Sequence, residues 1–450
     1  MFELHRAQMF MYFADKQGAG QAALLTGSVL LPRKIEISKL QDAANELFRE
    51  NDALRAVFVE KDEKVYQDVE PYMRREFPVL HFDSKEELDK YGEVYGTIPL
   101  KLPIRVEGSG VSKERWKNEK PSLELVKNIA VHEVGMFFTK LRMGKMNVKP
   151  AVCEFTLLDL PDCSGAMIKI HHIVADAWTI LLIANQLLSL LNGEAIQSFD
   201  YSDFIEDDKK YYLSSRYERD SAYMESEYEK CPEPTWLWPE RYKTLVAKRQ
   251  TRKMDKELSD KINEFCDQHK TTPYILFLSA VALYMRKKLG RDKFYTGSVS
   301  LNRSTFKEKN TVGMFVMDPP VLMEIDGNDT YLQLIDKVNI KSIKAFRHCK
   351  GMKRTPDSKN KLFDIWVSFQ NATLDADPTA IITQYYCNYC IDTTILSIED
   401  RLSEGQFKLI FDHNIKVSDE EAEELFDAVI CELNRIIENP EKVIDDPSFH

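Results

Sequence analysis

The residues best able to do chemistry lie together in His171-His172-Ile173-Val174-Ala175-Asp176-Ala177-Trp178. A neutral imidazole, with an ordinary pKa of about 6.5, can take a proton from an attacking amine or hold that amine by hydrogen bond. The preceding residues alternate, so Ala166, Ile168, Ile170 and His172 share one strand face while Met167, Lys169 and His171 share the other. Neighbouring strand residues that point apart cannot easily grip one ion, and no further His or Cys cluster is close in sequence, so no metal is expected. A lone histidine on an apolar face is more often a satisfied core residue. This one ends a strand, beside an acid-bearing turn and just before a helix, where side chains commonly face a cleft. Covalent catalysis finds no motif: Gly297-Ser298-Val299-Ser300-Leu301 fails the G-x-S-x-G pattern, and no G-x-x-x-x-G-K-[ST] loop occurs.

The elements that must position these residues follow from periodicity. Gln21 to Leu30 reads as a strand, and Ile37, Leu40, Ala43, Ala44 and Leu47 recur at helical spacing within Glu36 to Asn51. Leu54 to Val59 returns to strand character. Ser122 to Leu141 is a charged helical candidate in an irregular stretch, Glu107 to Lys149. A helix from Trp178 to Leu191 stops at Asn192-Gly193. Phe199 to Glu240, broken by Pro232, Pro234 and Pro239, reads as a crossover. The same grammar then repeats: helices at Ser259–Gln268 and Pro273–Lys288, strands at Lys293–Ser300, Phe363–Phe369 and Gln406–Asp412, and a closing helix at Asp419–Glu438. The reading is mixed α/β, with an N-terminal half at 1–198, a crossover at 199–240 and a C-terminal half at 241–450.

Composition narrows the function classes. A chain of 450 residues exceeds one ordinary core. Its formal net charge of -11 and the lack of a basic stripe argue against nucleic acid. Neither a secretory signal nor an apolar run of membrane-spanning length is present, so the expected site is the cytoplasm. Eight cysteines include a single C-x-x-C pair, Cys387 and Cys390, which reads as structural or tolerated thiols in a reducing compartment.

The His171–Trp178 segment resembles the H-H-x-x-x-D-G signature shared by nonribosomal peptide synthetase condensation domains and chloramphenicol-acetyltransferase-like enzymes. Further motifs of that family follow in order. Ala7-Gln8 with Tyr12 resembles A-Q-x-x-x-W, and Asp52-Ala53-Leu54-Arg55-Ala56-Val57-Phe58 resembles E-x-L-R-T-x-F. Tyr201-Ser202-Asp203-Phe204 resembles the start of Y-x-D-Y, and Val312-Gly313-Met314-Phe315-Val316 resembles I-G-x-F-V-N. Leu362-Phe363-Asp364 with Phe369-Gln370-Asn371 resembles L-F-D-x-x-F-x-x-Q-N. Ala177, Met317 and Tyr12 depart from the usual Gly, Asn and Trp, and the methyl at 177 can narrow a passage for a pantetheine arm.

The resemblance implies two chloramphenicol-acetyltransferase-like halves arranged as a V-shaped pseudo-dimer, with the active site at their junction. His172 takes the catalytic position, supported by His171, while Asp176 is structural and Arg55 its ion-pair partner. Ala177, Trp178, Gly313, Phe315, Gln370 and Asn371 line the substrate tunnel. The reaction is amide formation between an acyl thioester donor, acyl-CoA or acyl-carrier, and the amine of an aminoacyl-loaded peptidyl carrier protein, next to adjacent synthetase domains. No cofactor is permanently bound; phosphopantetheine arms or CoA bring the substrates. Met1 lies a few residues before the first motif, leaving no room for an upstream carrier, and Trp178 follows the Asp-Ala step as in many starter-type relatives. Both point to N-acylation at chain initiation. The alternatives are an elongation or epimerisation domain acting on a peptidyl carrier, and a non-catalytic docking module. A basic helical face at Lys341, Lys344 and Arg347, with Lys350 nearby, is a candidate carrier-docking surface.

Overall fold

The computed structural model describes residues 1–16, 23–106, 150–231, 233–239, 244–353, 362–390, 394–400 and 405–446. The helical candidate at Ser122–Leu141 lies outside them. In chain order the strands are β1 (Phe2–Glu3), β2 (Leu24–Leu31), β3 (Ala56–Lys61), β4 (Lys64–Val69), β5 (Val79–His81), β6 (Ile104–Val106), β7 (Cys153–Asp159), β8 (Ser164–His171), β9 (Ala247–Lys253), β10 (Lys293–Ser298), β11 (Pro320–Glu324), β12 (Trp366–Gln370), β13 (Ile381–Tyr385), β14 (Thr394–Glu399) and β15 (Lys408–Asn414). The helices are α1 (Arg6–Ala14), α2 (Ile37–Glu50), α3 (Lys85–Gly96), α4 (Ala177–Leu191), α5 (Tyr201–Tyr212), α6 (Ser215–Glu229), α7 (Lys256–His269), α8 (Pro273–Leu289), α9 (Phe306–Lys309), α10 (Tyr331–His348) and α11 (Asp419–Glu438).

Local chemistry accounts for the boundaries. Helix α2 buries Leu40, Ala43, Ala44, Leu47 and Phe48, the stripe its spacing predicts. Helix α4 starts where the Asp176 side chain accepts from Thr179 N and ends at Asn192, with Gly193 turning at φ 79. Thr272 caps α8, Pro273 opens it, and Gly290 closes it in the left-handed region. A Ser418–Glu421 capping box starts α11. The stretch read as strand from Leu54 begins instead with a 3₁₀ turn, Asp52–Arg55. Helices α5 and α6 occupy the region read as a crossover.

The chain forms two compact units that are not continuous in sequence: Met1–Lys209 with Arg303–Phe315 and Leu374–Cys387, and Lys210–Asn302 with Val316–Thr373 and Asn388–His450. Within the first, a five-stranded sheet has the order β13-β2-β8-β7-β5, beside a four-stranded sheet β1-β4-β3-β6. Strand β8 lies between β2 and β7, antiparallel to both, and all eight of its residues are buried. Burial on both faces hides the period-two alternation there and encloses Lys169. Its ammonium donates to Ile98 O at 3.0 Å and lies 3.4 Å from the Tyr95 ring centroid; burial pulls its pKa down to about 8.

The segment ending at Cys387 is keyed into this first unit. Strand β13 pairs with β2 along Tyr385↔Thr26 to Ile381↔Leu30. Tyr385 Oη donates to Asp89 at 3.0 Å and lies 3.0 Å from Ser28 Oγ, while its ring covers Gly92, where a Cβ would fall 2.4 Å from ring carbons. Arg33 pairs with Asp377 at 2.7 Å.

The second unit contains a six-stranded sheet, order β11-β10-β12-β14-β15-β9, over which α7, α8, α10 and α11 contribute to one apolar core. Among the described residues no helix is long and apolar enough to cross a membrane.

Candidate active site

Strand β8 ends at His171, which pairs with Leu24 and donates its backbone N–H to Val152 O at 2.8 Å. His172 is not the next strand residue. It opens a 3₁₀ turn, His172–Val174, anchored by its own N–H to Ala23 O at 2.7 Å. The chain thus leaves the sheet between the two histidines, and their surroundings diverge. His171 is fully buried: Nδ1 accepts from Ile173 N at 3.1 Å and Nε2 lies 3.3 Å from an Asp15 oxygen. An accepting Nδ1 places the ring proton on Nε2, which donates to Asp15. His172 keeps part of its surface accessible. A residue that keeps accessible surface can meet a substrate amine; a sealed one cannot.

Asp176 closes the turn and is completely buried. Its carboxylate accepts from Thr179 N at 2.9 Å, capping α4, and from Phe315 N at 3.0 Å. Its ion-pair partner is Arg303, whose Nη2 lies 3.1 and 3.2 Å from the two carboxylate oxygens. Arg303 also donates to Gly313 O at 2.9 Å, Thr179 Oγ1 at 3.1 Å, Thr311 O at 2.6 Å and Glu308 O at 2.5 Å. Its guanidinium carbon lies 3.8 Å from the Phe315 ring centroid. Two charges without solvent access are tolerable when hydrogen bonds meet them in this number. Burial, with the Asp176 charge next in effect, pushes the neighbouring Tyr201 phenol well above its ordinary pKa.

The expected Asp176–Arg55 pair is therefore corrected. Arg55 donates to Phe48 O at 3.0 Å, Arg49 O at 3.4 Å and Glu70 O at 2.5 Å. Two of these carbonyls belong to the last turn of α2, an electronegative helix end that holds the guanidinium. From the same motif, Asp52 accepts from Tyr201 N at 2.7 Å and Ser202 N at 3.1 Å, joining two of the sequence motifs directly.

A family model, the condensation domain, matches residues 164–449. The chain belongs to the condensation-domain family. Amide-forming acyl transfer is the chemistry of this family. Among curated proteins this condensation domain resembles surfactin synthase subunit 1 of Bacillus subtilis (strain 168), 24% identical over 298 residues, covering 62% of this chain and 8% of the synthase. Among solved structures it resembles the first condensation domain of the calcium-dependent antibiotic synthetase, with a TM-score of 0.76, 14% identity and coverage of 99% and 98% of the two chains. It also resembles the starter condensation domain of rhizomide synthetase, solved as a mutant with C8-CoA, with a TM-score of 0.76, 16% identity and coverage of 99% and 96%. The fold is accordingly the mixed α/β fold with two chloramphenicol-acetyltransferase-like halves.

The other expected site residues fall in three places. Ala177 is exposed at the first position of α4, and Trp178, half-buried, donates Nε1–H to Lys309 O at 2.9 Å. Gly313 and Phe315, expected along the substrate tunnel, are buried within the first unit. A Cβ on Gly313 would fall 2.2 Å from the Tyr201 ring, and Phe315, fully buried, packs on Phe204 with centroids 4.0 Å apart. Gln370 and Asn371 stand in the second unit, at and just beyond the end of β12. Among the described residues no three His, Cys, Asp or Glu side chains gather as a metal site. The sequence reading missed Arg303. A buried aspartate calls for a cation, but nothing in the sequence separates Arg303 from the other Lys and Arg residues, 61 in all.

Proposed function

We propose that this condensation domain acylates the amine of a carrier-bound aminoacyl thioester, with an acyl-CoA or acyl-carrier thioester as donor, and that His172 is its catalytic residue. The observation that carries the reading is the divergence of the two histidines: His171 is buried and committed to Ile173 N, whereas His172 opens the turn with accessible surface. A thioester is already activated, so the protein chiefly orients two pantetheine arms and manages one proton. Positioning supplies about 7–11 kcal/mol in favourable cases, general base catalysis about 10²–10⁴-fold. The His172 imidazole takes or directs the amine proton as nitrogen attacks the acyl carbon and the thiol leaves.

A non-peptidyl donor, as in chain initiation, is favoured by the likeness to the rhizomide starter domain, whose structures include one with C8-CoA and Leu-SNAC. Condensation on a peptidyl carrier, in elongation or epimerisation, is the second reading. We place the reaction in the cytoplasm, with neighbouring synthetase domains and a carrier protein as partners. The test supplies acyl-CoA donors of graded length in parallel with an aminoacyl-carrier donor, all against one loaded acceptor, with products weighed by mass spectrometry. Acyl-CoA turnover that rises with chain length to a limit supports initiation; exclusive use of the aminoacyl donor rejects it. His172→Ala should stay folded and lose most turnover, and near-normal product would overturn its assignment.

A further inference from the structure

The turn that presents His172 is held at Ile173, and one of the holding side chains comes from the opening helix. Ile173 N–H donates to His171 Nδ1 at 3.1 Å, while its carbonyl accepts from Gln8 Nε2 at 3.0 Å. Both main-chain polar groups of the residue after His172 are thus taken by side chains, in a turn too short to satisfy them itself. Gln8 has no solvent access, and its amide is fixed from behind, because the same Nε2 donates to Gln67 Oε1 at 2.5 Å and Gln67 is also fully buried. Further along, just past the end of α1, Asp15 receives His171 Nε2 at 3.3 Å. Helix α1 and the residue that ends it therefore reach Ile173 twice: at the carbonyl directly through Gln8, and at the N–H through Asp15 by way of His171.

We infer that Gln8 is a positioning residue for acyl transfer, clamping the Ile173 carbonyl opposite His171 so that the turn holds the His172 imidazole in one orientation. The inference rests on His172 being the catalytic residue. Loss of the Gln8 donor frees the Ile173 carbonyl, in the peptide unit after the one whose N–H His171 holds. With His172 N–H still on Ala23 O and Ile173 N–H still on His171, the far end of the turn can rock on those bonds, and the imidazole samples several orientations, few of them in line with an amine. A displacement of about 1 Å at a reacting group can cost on the order of 10²-fold in rate.

Gln8→Met keeps the length of the side chain and removes its donor. In the full chain, kcat should fall tenfold or more while KM for the aminoacyl acceptor changes less than twofold. Histidine-selective NMR supplies a readout independent of turnover: the His172 ring signal, identified by its loss in His172→Ala, should broaden or double in Gln8→Met, while those of His348 and His413 stay in place. Placed on His172→Ala, Gln8→Met should add no further loss. A lower melting temperature with unchanged kcat per folded molecule and an unshifted His172 signal would overturn the inference. Should His172→Ala retain turnover, the catalytic assignment fails while the NMR comparison still decides whether Gln8 orders the ring. If Gln8→Met does not fold, Gln67→Leu, which withdraws the support behind the amide, decides by the same two readouts, with a smaller effect expected in each.

Discussion

At the scale of single residues, the buried ion pair is the sharpest departure from the sequence reading. The motif that contains Arg55 was legible, and so was the need of Asp176 for a cation; the match between them was not. Arg55 is adjacent in sequence to a helix end whose carbonyls claim it, whereas Arg303 is 127 residues from Asp176 in sequence and reaches it only through the fold. Removing one partner of a buried pair typically costs about 3–5 kcal/mol, because the other charge is left uncompensated. Asp176→Ala and Arg303→Ala should each lower the melting temperature strongly, and the double variant should lose much less than the sum. Arg55→Ala should combine additively with Asp176→Ala, being in a separate set of hydrogen bonds. Chemical denaturation of the three singles and two doubles checks both statements. Coupling between Arg55 and Asp176 would contradict the geometry.

At the scale of elements, helices announced themselves better than the pieces between them. Helix α11 begins and ends where its capping serine and periodic stripe place it, and α2 buries the predicted face. The strand β8 was harder, since its alternation broke at His172, where the chain leaves the sheet. Helix α10 carries the candidate docking surface. Lys341 is committed to Glu324 at 2.8 Å, so it offers little to a partner. Lys344 and Arg347 are exposed, on the same side as Ile340 and Ile343, which are 53% and 49% exposed. We propose that face for an acidic carrier protein. Lys344→Glu with Arg347→Glu should weaken carrier binding at least tenfold at low salt and less at high salt, whereas Lys341→Gln should change it little. Titration calorimetry at two ionic strengths separates these outcomes, and equal affinity of the reversed variant at low salt would remove the surface from consideration.

At the scale of the whole molecule, the mixed α/β architecture and its repeated grammar could be read from periodicity, but the assembly of each unit could not. Periodicity reports neighbours along the chain; it says nothing of strand β13 crossing back to pair with β2. Stability carries its own signature in the second unit. Asp364, from the Leu362-Phe363-Asp364 motif, has no solvent access and accepts from Trp238 N at 2.8 Å, and burial pushes its pKa up to about 7. A raised folded-state pKa means the folded form prefers the proton. Its stabilising contribution is complete below the unfolded value, near pH 4, and disappears as pH rises through about 7. Unfolding free energy should therefore fall by roughly 1 kcal/mol between pH 6 and pH 8 from this group. Asp364→Asn, which keeps an acceptor for Trp238, should flatten that slope in denaturant titrations at the two pH values; an unchanged slope would assign the pH dependence elsewhere.

The way the first unit gathers its strands also sets an order of events during synthesis. Strand β2 emerges from the ribosome early, but the strand that covers its outer edge ends at Tyr385. Translation at about 5–20 residues per second leaves roughly 10 to 40 s between the emergence of Lys209 and that of Cys387. Through that interval the nascent sheet shows an unpaired edge, the kind of template on which chains join one another. The Arg303 staple for Asp176 is also still missing for part of it. A chaperone that shields β2, or a pause that brings residues 374–387 out together, would have most effect in this interval.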